Sequence, residues 1–138
     1  MKIRSAAQRT YLRRMAVVSV FYLAATFTAA SLIDKGAPVN WLTAMLAVLP
    51  GLGVVGYIWA IMRLMIEEQD EFFRMLIVRQ SLIATGIALS AASIWGFLEQ
   101  FAVVNHIPAY WWPVIYFFGF GIGALANKIQ YGTAGECL

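Results

Sequence analysis

Residues 15–33 read MAVVSVFYLAATFTAASLI, a run without a single charged side chain. A helix rising about 1.5 Å per residue needs about 20 apolar residues to cross a hydrocarbon layer about 30 Å thick. This run meets that length. It shows no strict alternation of apolar and polar positions, so a transmembrane barrel strand is excluded. A helix satisfies every backbone donor and acceptor within the segment, as lipid demands.

The same reading extends outward along the chain. Residues 41–66 form a second apolar stretch whose only charge, Arg63, lies near one end. Residues 80–98 form a third, with helical character expected from about Phe72, and residues 110–126 a fourth. Gly36, in Asp34-Lys35-Gly36, is the expected cap of the first helix. Asn40 is the expected N-cap of the second, with Pro38 closing the loop before it. Pro108 and Pro113 flank the start of the fourth, where no needed backbone donor is lost. Pro50 falls inside the second span and predicts a kink there. The fold class is all-α: a polytopic four-transmembrane-helix bundle, a single membrane domain over residues 1–138.

Composition supports the same class. Of 138 residues, 62% are hydrophobic and 12% charged, against a usual charged share of about 25%. A domain this small has too little interior to hide so much apolar surface from water. An ordinary soluble enzyme, a disordered tail, a coiled coil and a disulfide scaffold are thereby excluded. Cys137 is the only cysteine, so no internal disulfide can form. Lys2, Arg4, Arg9, Arg13 and Arg14 ahead of an apolar run ending in Thr28-Ala29-Ala30-Ser31 resemble a secretory signal. The run of about 19 residues exceeds the 7–15 of a signal core, so a retained first helix is expected.

Four spans place both termini on one side. Of the ten basic residues, Lys35 alone then falls on the other. Basic residues stay cytoplasmic, so the expected orientation is N-in, C-in. The net charge of +3 is thus a topology signal and a contact for anionic membrane lipids, not a nucleic-acid surface, since no basic-aromatic module is present. Trp41, Trp95, Tyr110, Trp111 and Trp112 mark the outer interface, and Tyr11, Phe72, Phe73 and Tyr131 the inner one.

Helices in lipid associate through close packing at small residues. Ala84, Ala88, Ala92 and Gly96 share one face of the third span, and Gly119 and Gly123 one face of the fourth. These are the candidate helix-packing residues. Gly119, Gly121 and Gly123 lie within a span, which rules out a dinucleotide-binding loop after a strand.

The polar concentration is a cytoplasmic charged hairpin over residues 67–79. With Arg63 it supplies the candidate partner- or lipid-contact residues Arg63, Glu67, Glu68, Asp70, Glu71, Arg74 and Arg79. Acids suit a helix N-terminus, so Asp70 and Glu71 are expected to open the third helix, with Glu67 and Glu68 in the turn. Asp70–Arg74, or alternatively Glu71–Arg74, is the expected ion pair. Arg63 lies one turn before Glu67, and Arg79 is expected near the N-terminal arginines or lipid phosphates. Acids without a Glu-x-x-His pair do not make a di-iron bundle. His106, the only histidine, falls in the outer loop with Glu99, a bilayer thickness of about 30 Å from the inner acids. No catalytic, cofactor-binding or metal-ligating residue is expected.

The runs Glu67-Glu68-Gln-Asp70-Glu71-Phe72, Arg74-Met75-Leu76 and Arg79-Gln80, then Trp95-Gly96-Phe97-Leu98-Glu99 and Pro108-Ala-Tyr-Trp, resemble small four-helix membrane proteins of proteobacteria. The resemblance covers about Pro50 to Asn127. It implies a bacterial inner (plasma) membrane and brings no activity, cofactor or catalytic residue with it.

The expected function is a non-enzymatic structural or accessory membrane protein. It would form a homo-oligomer or join a larger membrane complex, with the charged hairpin as docking surface. An oligomeric transporter or channel for ions or small solutes is the alternative, but no acidic group lies at mid-membrane to couple ions. A lipid-modifying enzyme ranks lower, because no nucleophile and base fall within reach of one another.

Overall fold

The structure, a computed structural model, describes residues 5–33, 36, 38 and 40–134. Lys2, Arg4, Asp34, Lys35 and Cys137 lie outside the described residues. The protein is all-helical, with α1 (Ala6–Leu32), α2 (Trp41–Glu67), α3 (Glu71–Gln100) and α4 (Trp111–Tyr131). Helices α1, α2 and α3 are long and apolar enough to cross a membrane, with mean hydropathies of 1.8, 2.0 and 1.7 over their most apolar stretches.

Local chemistry sets the helix ends. Ser5 caps α1 by accepting the Gln8 N–H. Asn40 and Thr43 form a reciprocal capping box at the start of α2, which satisfies two otherwise orphan donors. Asp70 caps α3 by accepting from the N–H groups of Phe72 and Phe73. Helix α1 stops at Leu32, where Ile33 turns extended with φ −91° and ψ 108°. Gly36 therefore lies beyond the end and is not the cap its sequence position suggested. Pro50 sits inside α2, and the helix runs on through it to Glu67.

Among the described residues, left-handed turns follow α3 and α4. Ala102 takes φ 56°, with Ala102 N–H donating to Glu99 C=O and Val103 N–H to Leu98 C=O. That is a Schellman ending, usually built on glycine. Gly132, at φ 73°, closes α4. Sequence reading stopped this helix at Ala126, but it continues to Tyr131. Lys128 in the last turn and Gly132 beyond it were the stop signals available.

Contacts divide the chain into two units, residues 1–68 and 69–138. Each is an antiparallel helical hairpin. In the first, α2 glycines let α1 side chains approach. A Cβ on Gly53 would sit 2.9 Å from Tyr22 Cδ2, and one on Gly56 3.1 Å from Val18 Cγ1. Tyr57 donates to Ser19 Oγ at 2.9 Å, and its ring meets Tyr22 edge-on with centroids 6.1 Å apart.

In the second hairpin the backbones themselves come close. A Cβ on Gly119 would lie 3.0 Å from Ala84 Cα, and one on Gly123 2.8 Å from Gln80 Cα. Asn127 Nδ2 donates to Leu76 C=O at 3.0 Å. Phe72 and Tyr131 meet edge-on at 6.0 Å. Phe72, Leu76, Gln80 and Ala84 thus pair in turn with Tyr131, Asn127, Gly123 and Gly119. Each step of four residues along α3 matches a step of four back along α4, so one ridge of each helix forms the seam.

Two substitutions test this packing by thermal unfolding in detergent. Gly123→Ala forces its methyl against α3 backbone and should cost about 1–3 kcal/mol, the usual penalty of overpacking. Gly121→Ala meets nothing within 4 Å and should instead gain about 1 kcal/mol of helix propensity. Replacing Ala102 with glycine should relieve the left-handed strain and stabilise by about 1 kcal/mol.

Candidate functional site

The densest polar cluster ties the end of α2 to the start of α1. Glu67 closes α2, a position where the helix dipole disfavours an acid. Two arginines compensate. Arg14 makes a two-pronged contact, Nη1 to Oε2 at 2.6 Å and Nη2 to Oε1 at 2.9 Å. Arg63, one turn back, donates from Nη2 to Oε1 at 2.5 Å. Such forked guanidinium–carboxylate contacts are among the stronger and more directional hydrogen bonds. The Arg14 guanidinium also lies over the Trp59 ring, 5.2 Å from its centroid. Next to it, the buried Glu68 accepts from Ser5 Oγ at 2.7 Å. Ser5 thereby caps α1 and fastens it to α2 with the same hydroxyl.

The remaining candidates open α3 in the second unit. Asp70 is occupied as the cap of that helix. The Arg74 ion pair is with Glu71, at 3.8 Å and three residues back, the alternative of the two pairings anticipated. Glu71 is 87% exposed and Arg74 46%, so both side chains present to the surroundings. Arg79 stacks over the Tyr131 ring at 5.2 Å and hydrogen-bonds Gln130. Both of these partners come from the end of α4. Gln80 donates to Ala134 C=O at 2.6 Å, drawing the segment after α4 back along α3.

The charged stretch 67–79 is largely helical: the turn comprises Glu68, Gln69 and Asp70, and α3 begins at Glu71. Of the small-residue stripe, Ala84 and Ala88 are buried and Ala92 half-buried, while Gly96 is exposed and meets nothing within 4 Å. Gly119 lies against Ala84, but Gly123 lies against Gln80.

Sequence reasoning did not bring Arg14 to Glu67, Ser5 to Glu68, or Asn127 into the α3–α4 seam. Asn127 is fully buried. An asparagine, a lysine and a glutamine at the end of an apolar span read as a solvated terminus. The signal that could have placed Asn127 is its four-residue spacing from Gly119 and Gly123. In the last turn of α3, Glu99 organises the connection to α4. It accepts from Ile107 N–H at 2.7 Å and contacts His106 Nδ1 at 3.1 Å.

The arrangement binds charge and fixes helix ends. Among the described residues no three His, Cys, Asp or Glu side chains converge as a metal site would require. In the first unit, Thr10, Arg13, Arg14, Val17, Val18 and Trp59 line a shallow groove of about 320 Å³. A double-mutant cycle probes the cluster beside it. Arg14→Gln and Glu67→Gln should each lower Tm, and the double substitution should cost less than the two losses added together. Glu71→Gln, at an 87% exposed side chain, should leave Tm unchanged. No protein family, curated protein or solved structure matches the chain.

Proposed function

We propose that this is a four-span accessory protein of a bacterial inner membrane, without enzymatic activity, that packs with itself or with a larger membrane complex. The observation that carries the reading is how little of the apolar surface the protein covers. Only 6%, 17% and 11% of the most apolar stretches of α1, α2 and α3 are buried within it. Val20, Leu23 and Phe27 on α1, and Leu82, Leu89 and Ile94 on α3, are all exposed. Such faces need lipid or other helices against them.

Helix α4 is the fourth span in this reading, with Phe118, Ile122 and Leu125 exposed along it. Both termini are cytoplasmic, following the bias of basic residues. Membrane lipids and a protein partner or second copy are the partners. Within the charged stretch, Glu71 and Arg74 are the docking residues. They open α3 with exposed side chains, whereas Glu67 is held by Arg14 and Arg63.

Photo-crosslinking in native membranes tests the assignment. A crosslinker at Glu71, Phe27 or Leu89 should yield a defined adduct containing a second copy or a partner protein. Monomer alone from all three positions would refute an accessory role. Single cysteines at Gln8 and Gln130, in a chain lacking Cys137, should label from the cytoplasmic side, and one at Asn105 from the opposite side. The reverse pattern would refute the orientation.

A further inference from the structure

The first hairpin carries positive charge that the described residues do not compensate. Arg9, Arg13 and Arg14 occupy the first part of α1, whose opening turn contains no acid. A helix N-terminus already carries partial positive charge, so Arg9, in the first turn, is unfavourable there. Arg9 and Arg13 stand four residues apart, where like charges repel. Both are exposed, and neither has an acidic partner among the described residues. Glu67 does not serve them: its two oxygens are taken by Arg14 and Arg63.

The groove beside these residues has a graded wall. Thr10, Arg13 and Arg14 form its polar end, and Val17, Val18 and Trp59 continue it along the helices. From Thr10 to Val17 is about 10 Å of helix rise. An ion smaller than a lipid would use only the cationic end. A molecule with an anionic head joined to an aliphatic chain uses both. Arg14 is held by Glu67 and stacked on Trp59, so that wall is fixed in advance and loses little freedom on binding.

We propose that this groove is a specific site for an anionic phospholipid, its phosphate on Arg13 with Arg9 alongside, and its acyl chain along Val17, Val18 and Trp59. The site deepens the membrane reading and rests on α1 and α2 lying in lipid. The bound phosphate offsets the uncompensated positive charge at the start of α1, and the acyl chain covers apolar surface that α2 leaves open.

Thermal unfolding of the full chain, purified in an uncharged maltoside detergent, tests the site. Phosphatidylglycerol should raise Tm in a saturable manner, as a ligand of the folded state does, and phosphatidylcholine of the same chain length should not. Arg13→Gln should weaken the apparent phosphatidylglycerol affinity about fivefold, the worth of one basic residue at an anionic surface. Arg13→Lys should restore most of it. Lys128→Gln, at a cation on α4, should leave it unchanged. Equal shifts from the two lipids, or an unaltered response in Arg13→Gln, would overturn the site. An equal shift from glycerol 3-phosphate would also overturn it, by showing that phosphate alone suffices. Failure of the membrane reading has a different signature, a chain that remains monodisperse once detergent is removed.

Discussion

Two helices can reach backbone contact only where one of them lacks a side chain, and both hairpins depend on that steric fact. Lipid supplies no hydrophobic reason for apolar helices to leave it, so the gain must come from close packing and from polar groups that find partners. Gly119 and Gly123 let α4 approach Ala84 and Gln80 to within the space a single methyl would occupy. Gly53 and Gly56 admit Tyr22 and Val18 in the first hairpin. Glycine lowers intrinsic helix propensity by about 1 kcal/mol at each such position, a cost that packing must exceed. Gly51, Gly86 and Gly121 meet nothing within 4 Å, so only a subset of the glycines is used in this way.

Once the seam is set, polar groups choose the register. The hairpins do so differently. The first is pinned at its open end by charge: Arg14 and Arg63 share Glu67, and Ser5 reaches Glu68. The second has no ion pair across its seam among the described residues: Asn127 bonds the Leu76 carbonyl, Gln80 the Ala134 carbonyl, and Arg79 the neutral Gln130. An ion pair is favoured where water can still reach it and lower the cost of charge, and the Arg14 and Glu67 side chains are 22% and 23% exposed. A neutral amide can sit farther along a helix without that requirement. The difference follows from where each helix carries its polar residues.

Local physics made the helices, the starts of α2 and α3 and the small-residue face of α4 readable in advance. Asn40 and Asp70 are recognisable because a capping side chain acts within three residues of its own position. Pairings across a hairpin are less accessible. The partner of Glu67 could have been any of several arginines, and only the antiparallel register of α1 and α2 selects Arg14. Ile33 and Ala102 defeat the glycine rule in opposite senses. The first ends a helix without a left-handed residue, and the second adopts a left-handed conformation without being glycine. Ile33 follows the extended preference of a β-branched residue, whereas at Ala102 the connection fixes the backbone more strongly than the residue's preference does. Glu99 shows this after α3, holding Ile107 and His106 across the loop that contains Ala102.

Helix α4 illustrates why average hydropathy understates a helix in a hairpin. A hydropathy scale counts each side chain as though it faced its environment alone. In the last turns of α4, Asn127 is fully buried and bonds Leu76, while Gln130 bonds Arg79. Asn127 Nδ2 and Gln130 Oε1 bond to α3, so part of the transfer penalty assigned to these side chains is offset by hydrogen bonds. Lys128 is exposed near the helix end, where a long side chain can lay its methylenes along an apolar surface and keep its ammonium in water. The face left over, with Phe118, Ile122 and Leu125, is more apolar than the helix as a whole. The polarity a helix presents to its surroundings is therefore that of the paired hairpin's outer surface, not that of its sequence taken alone.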